Sequence, residues 1–291
     1  MPIKESELIL NPDGSVYHLN LRPEDIANTI ITVGDPDRVD TVTKHFDTVE
    51  FSTHKREFHT QTGTYKGKKI TVISTGIGTD NIDIVFNELD ALVNIDLEKR
   101  EIKSELTSLD IIRIGTSGSI QKEIPLNSFV ISEYAAGFDS LLHFYDSEHV
   151  QYFEISEALK KQTNWFNKKS DPYVVKCSER LLKKLSSNKT INGFTATNVG
   201  FYGPQGRILR LAIQDKNLND KLANFNFKDK NITNLEMETA GIYGISNLLG
   251  HHSLSMNAII ANRATGEFSE DPKTIVENLI TYTLNKIIDK D

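Results

Sequence analysis

The apolar positions of this chain fall into short runs and longer amphipathic stretches. Runs rich in β-branched residues, each near Gly, Asp or Pro, predict strands at residues 29–34, 68–76, 109–115, 128–136, 191–200 and 253–263. Helical spacing predicts a helix in 81–93 with an apolar face of Ile84, Val85, Leu89 and Leu92. The same spacing predicts a helix in 272–288 with an apolar face of Val276, Leu279, Ile280, Leu284 and Ile287. Alternating strands and helices are typical of an α/β fold with helices on both faces of the sheet.

No repeat, low-complexity tract or Gly/Ser linker divides the chain, so we predict one domain over residues 1–291. Two polar stretches, 95–106 and 215–231, interrupt the alternation, and their polar composition predicts solvated excursions from the sheet. Ligands of α/β proteins bind beyond the carboxyl ends of strands. The residues that follow the predicted strands are therefore the candidate ligand contacts.

Composition narrows the class of protein. The 291 residues are 38% hydrophobic and 25% charged, which suffices for a sizeable core. A net charge of -7, with Lys and Arg dispersed, argues against a nucleic-acid partner. Cys177 is the only cysteine and no Cys/His cluster has zinc spacing, so no disulfide and no metal centre is predicted. The N-terminal residues lack a signal pattern and no stretch has the length of a membrane span, which predicts a soluble, cytoplasmic protein without a membrane partner.

Two of the strand ends carry the chemistry of an anion site. "VGDPDR" supplies Gly34 and Arg38, and "RIGTSG" supplies Arg113 and Thr116 at the expected end of the third strand. Glycine admits close backbone approach, threonine donates a hydrogen bond, and paired guanidinium groups bind phosphate through charge-assisted contacts. The alternative is ordinary turn chemistry with arginines that reach solvent.

A pair of carboxylates marks another transition from strand to helix. In "NLEMETAGIYG", Glu236 and Glu238 stand two apart, so on extended backbone both point the same way. A carboxylate here could accept hydrogen bonds from the vicinal hydroxyls of a ribose. Alternatively, these are acids favoured at a helix N-terminus, with Met237 between them in the core.

The Gly-rich segment "FYGPQGR" offers contacts for a planar base. Gln205 carries both a donor and an acceptor, Arg207 adds a guanidinium, and Phe201 offers a ring face. The alternative is a Gly/Pro loop with incidental polar residues.

Taken together, these segments resemble the nucleoside phosphorylase family, and within it the uridine phosphorylase branch. The segments "GDPDR", "REF", "STGIG", "RIGTSGSI", "LHF", "FYGPQGR", "EME" and "NR" follow the family's order between residues 16 and 263. The resemblance implies a single-domain α/β fold with a mixed, partly barrel-like central β-sheet flanked by helices. It also implies a homo-oligomer, a dimer at least or a hexamer built as a trimer of dimers, with nucleoside and phosphate as substrates. The resemblance implies no cofactor. Inorganic phosphate takes part in the reaction as a co-substrate.

The resemblance assigns roles to individual residues. For phosphate it implies Gly34, Arg38, Arg113, Thr116 and the Arg56 of a neighbouring subunit. For ribose it implies Met237, Glu238, the nearby Glu236 and the neighbour's His18. For the base it implies Phe201, Gln205 and Arg207. Catalysis is expected to rest on Arg113, Arg38 and Glu238.

The residues at the end of the last predicted strand indicate which nucleoside base is preferred. Purine-specific relatives tend to carry an acid there that protonates the purine, whereas this chain has Asn262 and Arg263. An arginine cannot act as that acid, so uridine is the expected substrate and a purine or broader specificity is the alternative. Glu57 resembles a carboxylate that holds potassium (K+) at the subunit interface of some relatives, although Asn81 stands where they have serine.

Overall fold

The computed structural model describes residues 2–289. The strands of that range are β1 (Thr29–Val33), β2 (Thr48–Lys55), β3 (Phe58–Tyr65), β4 (Lys68–Ser74), β5 (Ile95–Asp96), β6 (Glu101–Ile102), β7 (Asp110–Ser119), β8 (Phe129–Gly137), β9 (Tyr173–Lys176), β10 (Thr190–Thr197), β11 (Ile232–Glu236), β12 (His252–Asn262) and β13 (Glu267–Phe268). Its α-helices are α1 (Asp37–Thr43), α2 (Thr79–Asn94), α3 (Phe153–Thr163), α4 (Glu179–Leu185), α5 (Leu218–Ala223), α6 (Thr239–Leu249) and α7 (Pro272–Ile288). Short 3₁₀ turns occur at Pro23–Asp25, Leu141–Phe144, Glu148–Val150 and Gly203–Gln205.

Five strands close into a mixed barrel. The strand order β12-β8-β10-β11-β7 is completed by pairing of β7 with β12, which returns the sheet to its first strand. The β7–β12, β8–β10 and β10–β11 pairs are parallel, whereas β12–β8 and β11–β7 are antiparallel. These pairings confirm the expected mixed, partly barrel-like sheet. Closure also removes the open edges of these five strands.

The rest of the main sheet extends from the barrel. Strand β1 pairs in parallel with both β7 and β4, and the β3 and β2 hairpin continues the sheet from β4. The sequence analysis missed this hairpin because the residues of β2 are exposed or half-buried, so their apolar pattern is weak.

Helices α2, α6 and α7 pack against the sheet and form the core with it. The two predicted amphipathic helices are present, but their buried faces are slightly rotated from those expected. Ile84 and Val276 are only half-buried, while the neighbouring Ile82 and Ile275 are buried. Among residues 2–289, no helix is both long and apolar enough to cross a bilayer.

The two polar stretches have different structures. Residues 95–106 contain the small hairpin of β5 and β6, which is half-buried to exposed, as expected for a solvated excursion. The expectation is wrong for 215–231, since this stretch contains α5. Leu218 and Leu222 of α5 are buried in an apolar cluster with Phe225. Ala223 and Phe227 pack against the same cluster, but these few apolar residues do not make a helical period stand out among the Lys, Asn and Asp residues.

Candidate active site

One cavity of ≈ 670 Å³ collects residues from several strand ends. This volume is typical of small-molecule sites. The sequence-predicted residues that line it are Gly34, Arg38, Arg113, Thr116, Phe201, Gln205, Arg207, Glu236, Met237 and Glu238, together with Glu57 and Asn81. His18 and Arg56 do not line it. The structure thus brings the three separate constellations into one space.

Arg113 lies inside β7, so the expectation that it ends its strand is wrong. Its buried guanidinium places Nη2 2.6 Å from Oε2 of Glu238 and 3.4 Å from Oε2 of Glu236. Nη1 donates to Oδ1 of Asn257 at 3.0 Å. Gly115 leaves room for this side chain, because a Cβ there would clash with the guanidinium. The strand continues beyond Gly115 because its backbone stays paired with β12 up to Ser119.

Glu236 ends β11 and organises the start of α6. Its Oε1 accepts a hydrogen bond from the Thr197 hydroxyl at 2.6 Å, and its Oε2 accepts from the backbone N–H groups of Glu238 and Thr239, both at 2.9 Å. Backbone N–H groups at a helix N-terminus favour a negative charge. Glu236 therefore serves the helix start, as the alternative held, and also lies beside the cavity.

Glu238 is the carboxylate that connects Arg113 with the loop after β4. Its Oε1 accepts from the backbone N–H of Gly78 at 2.8 Å, while Oε2 binds Arg113. Each carboxylate oxygen has a second lone pair, so hydroxyl donors could still bind. Met237, between the two glutamates, is half-buried and lines the cavity, so it is not simply a core residue.

Burial shifts the pKa values of these groups. Burial raises the pKa of Glu238, and the Arg113 guanidinium opposes that rise. Burial works to lower the pKa of Arg113, but the adjacent carboxylates of Glu236 and Glu238 outweigh it and raise the pKa. The buried cluster of one cation and two carboxylates carries a net negative charge when all three are ionised.

Arg38 supplies a cation that this cluster does not neutralise. It is half-buried, and Nη1 lies 3.4 Å from the carbonyl oxygen of Ile114. Within residues 2–289, no carboxylate forms an ion pair with it. Burial, followed by repulsion from Arg113, lowers the pKa of Arg38. An anion bound here would relieve that repulsion, and Gly34 and Thr116 lie in the same cavity.

The base-loop residues 201–207 form one hydrogen-bonded unit. Arg207 places its guanidinium carbon 3.7 Å from the ring centroid of Phe201 and donates from Nη1 to Oε1 of Gln205 at 2.8 Å. Gln205 is buried, while the Phe201 side chain is half exposed. The Gln205 amide thus retains its two N–H donors and one acceptor lone pair.

Two residues to which the sequence analysis assigned no contact hold this loop. The backbone carbonyl of Gln205 accepts from Nη1 of Arg263 at 2.9 Å and from Nδ2 of Asn219 at 3.0 Å. Arg263 follows β12, and Asn219 belongs to the first turn of α5. Asn219 gave no signal in the sequence, because it lies in the stretch that was expected to be solvated.

A buried polar network behind Arg113 was also missed. Ser255 and Asn257 lie on β12 within an otherwise apolar run, and Ser255 accepts from the Thr239 hydroxyl at 2.9 Å. Asn257 donates to the Ser132 hydroxyl at 3.2 Å. Polar residues at core positions of a strand could have signalled that a buried charge lies next to them.

His18 and Arg56 lie together outside the cavity, around the ring of Tyr17. The His18 ring packs edge-on at 4.9 Å from Tyr17, and the Arg56 guanidinium carbon lies 5.9 Å from the same ring centroid. Nδ1 of His18 is 2.6 Å from Oε1 of Glu88. Neither residue reaches its own subunit's cavity, so their roles from a neighbouring subunit remain a prediction.

Glu57 and Asn81 both pack against Gly76, where a Cβ would approach their side chains too closely. Gly76 has a φ of 69°, a conformation that favours glycine. Among residues 2–289, no three His, Cys, Asp or Glu side chains form a metal-binding group. The potassium site stays a prediction.

The cavity thus combines three kinds of chemistry. Arg38 provides a cation that has no ion pair within residues 2–289, and Glu238 provides a carboxylate held by Arg113. Gln205 and Arg207 provide donors and an acceptor beside an aromatic ring. Such a space can hold an anion, a hydroxylated ring and a planar heterocycle side by side.

Comparisons with known proteins agree with this chemistry. A uridine phosphorylase of Thermococcus kodakarensis is 28% identical over 267 residues, which cover 89% of this chain and 81% of that protein. A DeoD-type purine nucleoside phosphorylase of Listeria monocytogenes is 27% identical over 276 residues, covering 93% of this chain and 98% of that protein.

A solved structure is similar over nearly the full chain. It is a Trypanosoma brucei nucleoside phosphorylase described as showing uridine phosphorylase activity, with a TM-score of 0.87 and 28% identity, covering 97% of this chain and 99% of that one. The model of the phosphorylase superfamily matches residues 28–286, which include every cavity residue discussed above. The chain therefore belongs to the phosphorylase superfamily.

Proposed function

We propose that this protein is a uridine phosphorylase, which converts uridine and phosphate reversibly into uracil and ribose 1-phosphate. The observation that carries the proposal is the single cavity that joins Arg38, Glu238 and the Gln205–Arg207 pair. The uridine phosphorylase relatives and the trypanosomal structure support it.

In the proposed reaction, phosphate binds beside Arg38, Gly34 and Thr116, and an oxygen of phosphate attacks C1' of the ribose. The C1'–N1 bond breaks, and its electron pair leaves with uracil. Positive charge grows on the ribose, and the negative charges of Glu238 and the phosphate stabilise it. Arg113 acts mainly by holding Glu238 in place, since its guanidinium already contacts both buried carboxylates.

The base loop fits the edge of uracil, which presents an acceptor, a donor and a second acceptor. The Gln205 amide can receive the uracil N3–H on its remaining lone pair and donate to an adjacent oxygen, while Arg207 donates to the other oxygen. Uracil leaves as a delocalised anion, so these donors stabilise the developing charge and no general acid is required.

A purine nucleoside phosphorylase is the second candidate, because DeoD-type relatives are nearly as similar. The carboxylates that line the cavity within residues 2–289 are Asp35, Glu57, Glu236 and Glu238, and none belongs to residues 201–207. Protonation of a purine ring would need an acid at the base, which favours the pyrimidine.

The test is a phosphate-dependent assay of uridine, thymidine and inosine. We expect uridine cleavage that requires phosphate and produces ribose 1-phosphate. Gln205→Ala should lower kcat/KM for uridine, with a rise in activation free energy of about 1–3 kcal/mol. The reason is that the buried edge of uracil loses its hydrogen-bonding partner. Turnover of inosine above that of uridine in the unaltered protein would establish the purine alternative instead.

We further propose that the enzyme acts as a homo-oligomer in the cytoplasm. Support for the assembly comes from His18 and Arg56, which share one surface and do not line their own subunit's cavity. Support for the compartment comes from Cys177, a single buried thiol, since disulfide-free chains are typical of reducing compartments.

A further inference from the structure

A second cavity of ≈ 870 Å³ borders the base loop. The segments 138–140, 198–204 and 209–215 contribute to its wall, and Trp165, Lys169 and Leu218 complete it. Arg207 lines both cavities, so the second one adjoins the proposed uracil site. The proposed function assigns no role to this space.

Aromatic and aliphatic side chains dominate the wall. Phe138 and Trp165 pack with ring centroids 4.8 Å apart, and Tyr202 contributes a third ring. Leu209 and Leu211 lie on irregular backbone, and 76% and 72% of their surface is exposed. Apolar side chains left open beside aromatic rings favour a ligand with a planar apolar body.

The charges around the cavity favour an anion. Lys169 holds its ammonium 4.8 Å from the Trp165 ring centroid, and burial lowers the pKa of Lys169. Among residues 2–289, neither Lys169 nor Arg210 forms an ion pair with a carboxylate. These two cations therefore lack a direct ion-pair partner at the wall.

The acids of the wall already have partners. Both carboxylate oxygens of Asp139 accept from the Tyr173 hydroxyl, at 2.9 and 2.8 Å, and burial raises the pKa of Asp139. Asp215 is 2.7 Å from the ammonium of Lys221. Asp215 also attracts Lys169 at longer range and works to raise the pKa of Lys169, but neither acid forms an ion pair with Lys169 or Arg210.

We propose that this second cavity binds a small planar aromatic ligand that carries a negative charge, with the ring against Trp165 and Tyr202 and the charge beside Lys169. The ligand is distinct from the nucleoside, and its site shares only Arg207 with the proposed active site. Occupancy places the ligand next to Arg207, without overlapping the space proposed for the nucleoside.

Binding is measured with naphthalene-2-sulfonate as the probe and the uncharged naphthalene-2-sulfonamide as its matched control. Trp165 is the only tryptophan of the chain, so its fluorescence reports directly on this cavity. We expect saturable quenching with one sulfonate per subunit and weaker binding of the sulfonamide. The titration is repeated with saturating uridine present, and we expect the quenching to persist.

Two variants separate a specific site from general adhesion of the probe. Lys169→Met should weaken sulfonate binding by about tenfold or more, a loss typical of one contact to a charged group. Lys168→Met is the control, because Lys168 is exposed and does not line the cavity. Leu211→Asp, which adds a like charge to the wall, should also weaken binding.

The proposal is overturned if quenching does not saturate, if both lysine variants bind the sulfonate equally, or if uridine abolishes the quenching. Calorimetry under the same conditions checks the stoichiometry. None of these readings requires catalytic turnover, so failure of this proposal is distinguishable from failure of the uridine phosphorylase assignment.

Discussion

The partners of Arg113 in the structure differ from the partner that the sequence suggested. The pattern "RIGTSGSI" places an arginine after an apolar run, which suggested a guanidinium directed at an anion. In the fold, its nearest charged groups are two buried carboxylates, whereas Arg38 lines the same cavity and forms no ion pair within residues 2–289. Single side chains thus keep their chemistry while their partners differ from those expected.

Arg113→Ala should lower the free energy of unfolding by about 3–5 kcal/mol, because it leaves Glu236 and Glu238 buried without their cation. Urea denaturation monitored by circular dichroism measures this loss. Arg38→Ala is the control, since Arg38 is half-buried and has no ion pair among the described residues. Equal unfolding midpoints for the two variants would contradict the structural role of Arg113.

Secondary-structure elements show where pattern reasoning succeeds. Each of the six predicted strands exists, because β-branched runs between turn residues carry a strong local signal. The end of β7 was misplaced because its last residues, including Thr116 and Ser119, are polar or small. They remain in the strand because β12 and β11 pair with them, and barrel closure is invisible to a local pattern.

Helix α5 shows the opposite failure, since a segment expected to be solvated holds the base loop. Asn219→Ala should raise KM for uridine severalfold, because the backbone carbonyl of Gln205 loses one of its two donors. The side-chain amide of Gln205 is then held less firmly in the position that binds uracil. KM for phosphate should stay unchanged, and steady-state kinetics with each substrate varied measures both values.

Asn217→Ala is the matched control for that experiment. Asn217 precedes α5, is exposed, and makes no side-chain capping hydrogen bond. If Asn217→Ala raises KM for uridine as much as Asn219→Ala does, the effect comes from general loss of the helix. A parallel rise in KM for phosphate would likewise contradict a specific role for Asn219.

At the scale of the whole molecule, the proposed oligomer gives a role to the two predicted residues that lie outside the cavity, His18 and Arg56. Tyr17 holds His18 and Arg56 on one surface of the subunit, away from its own cavity. In the symmetric dimer that we propose, this surface would meet the partner's cavity, and the equivalent surface of the partner would meet the cavity of the first subunit. An isolated subunit would therefore lack one phosphate cation and one ribose contact.

Mixing two inactive variants, Arg56→Ala and Arg38→Ala, should restore activity when subunits exchange. Random pairing leaves about a quarter of the sites intact, because a mixed dimer carries both defects in one site and neither in the other. Phosphorolysis of uridine is compared before and after exchange, which mass spectrometry of the intact dimer confirms. No recovery despite exchange would show that Arg56 acts within its own chain.

The α/β class, the six strands rich in β-branched residues and the identity of the chemistry-bearing residues could be inferred from the chain, since each depends on local spacing or on short motifs. The partners of those residues could not. Arg113 meets Glu238 across 125 positions, and Asn219 meets the Gln205 carbonyl from a helix with a weak pattern. Such contacts arise only when barrel closure brings distant strands together, so the tertiary structure decides which charges are buried in pairs and which remain free to bind a ligand.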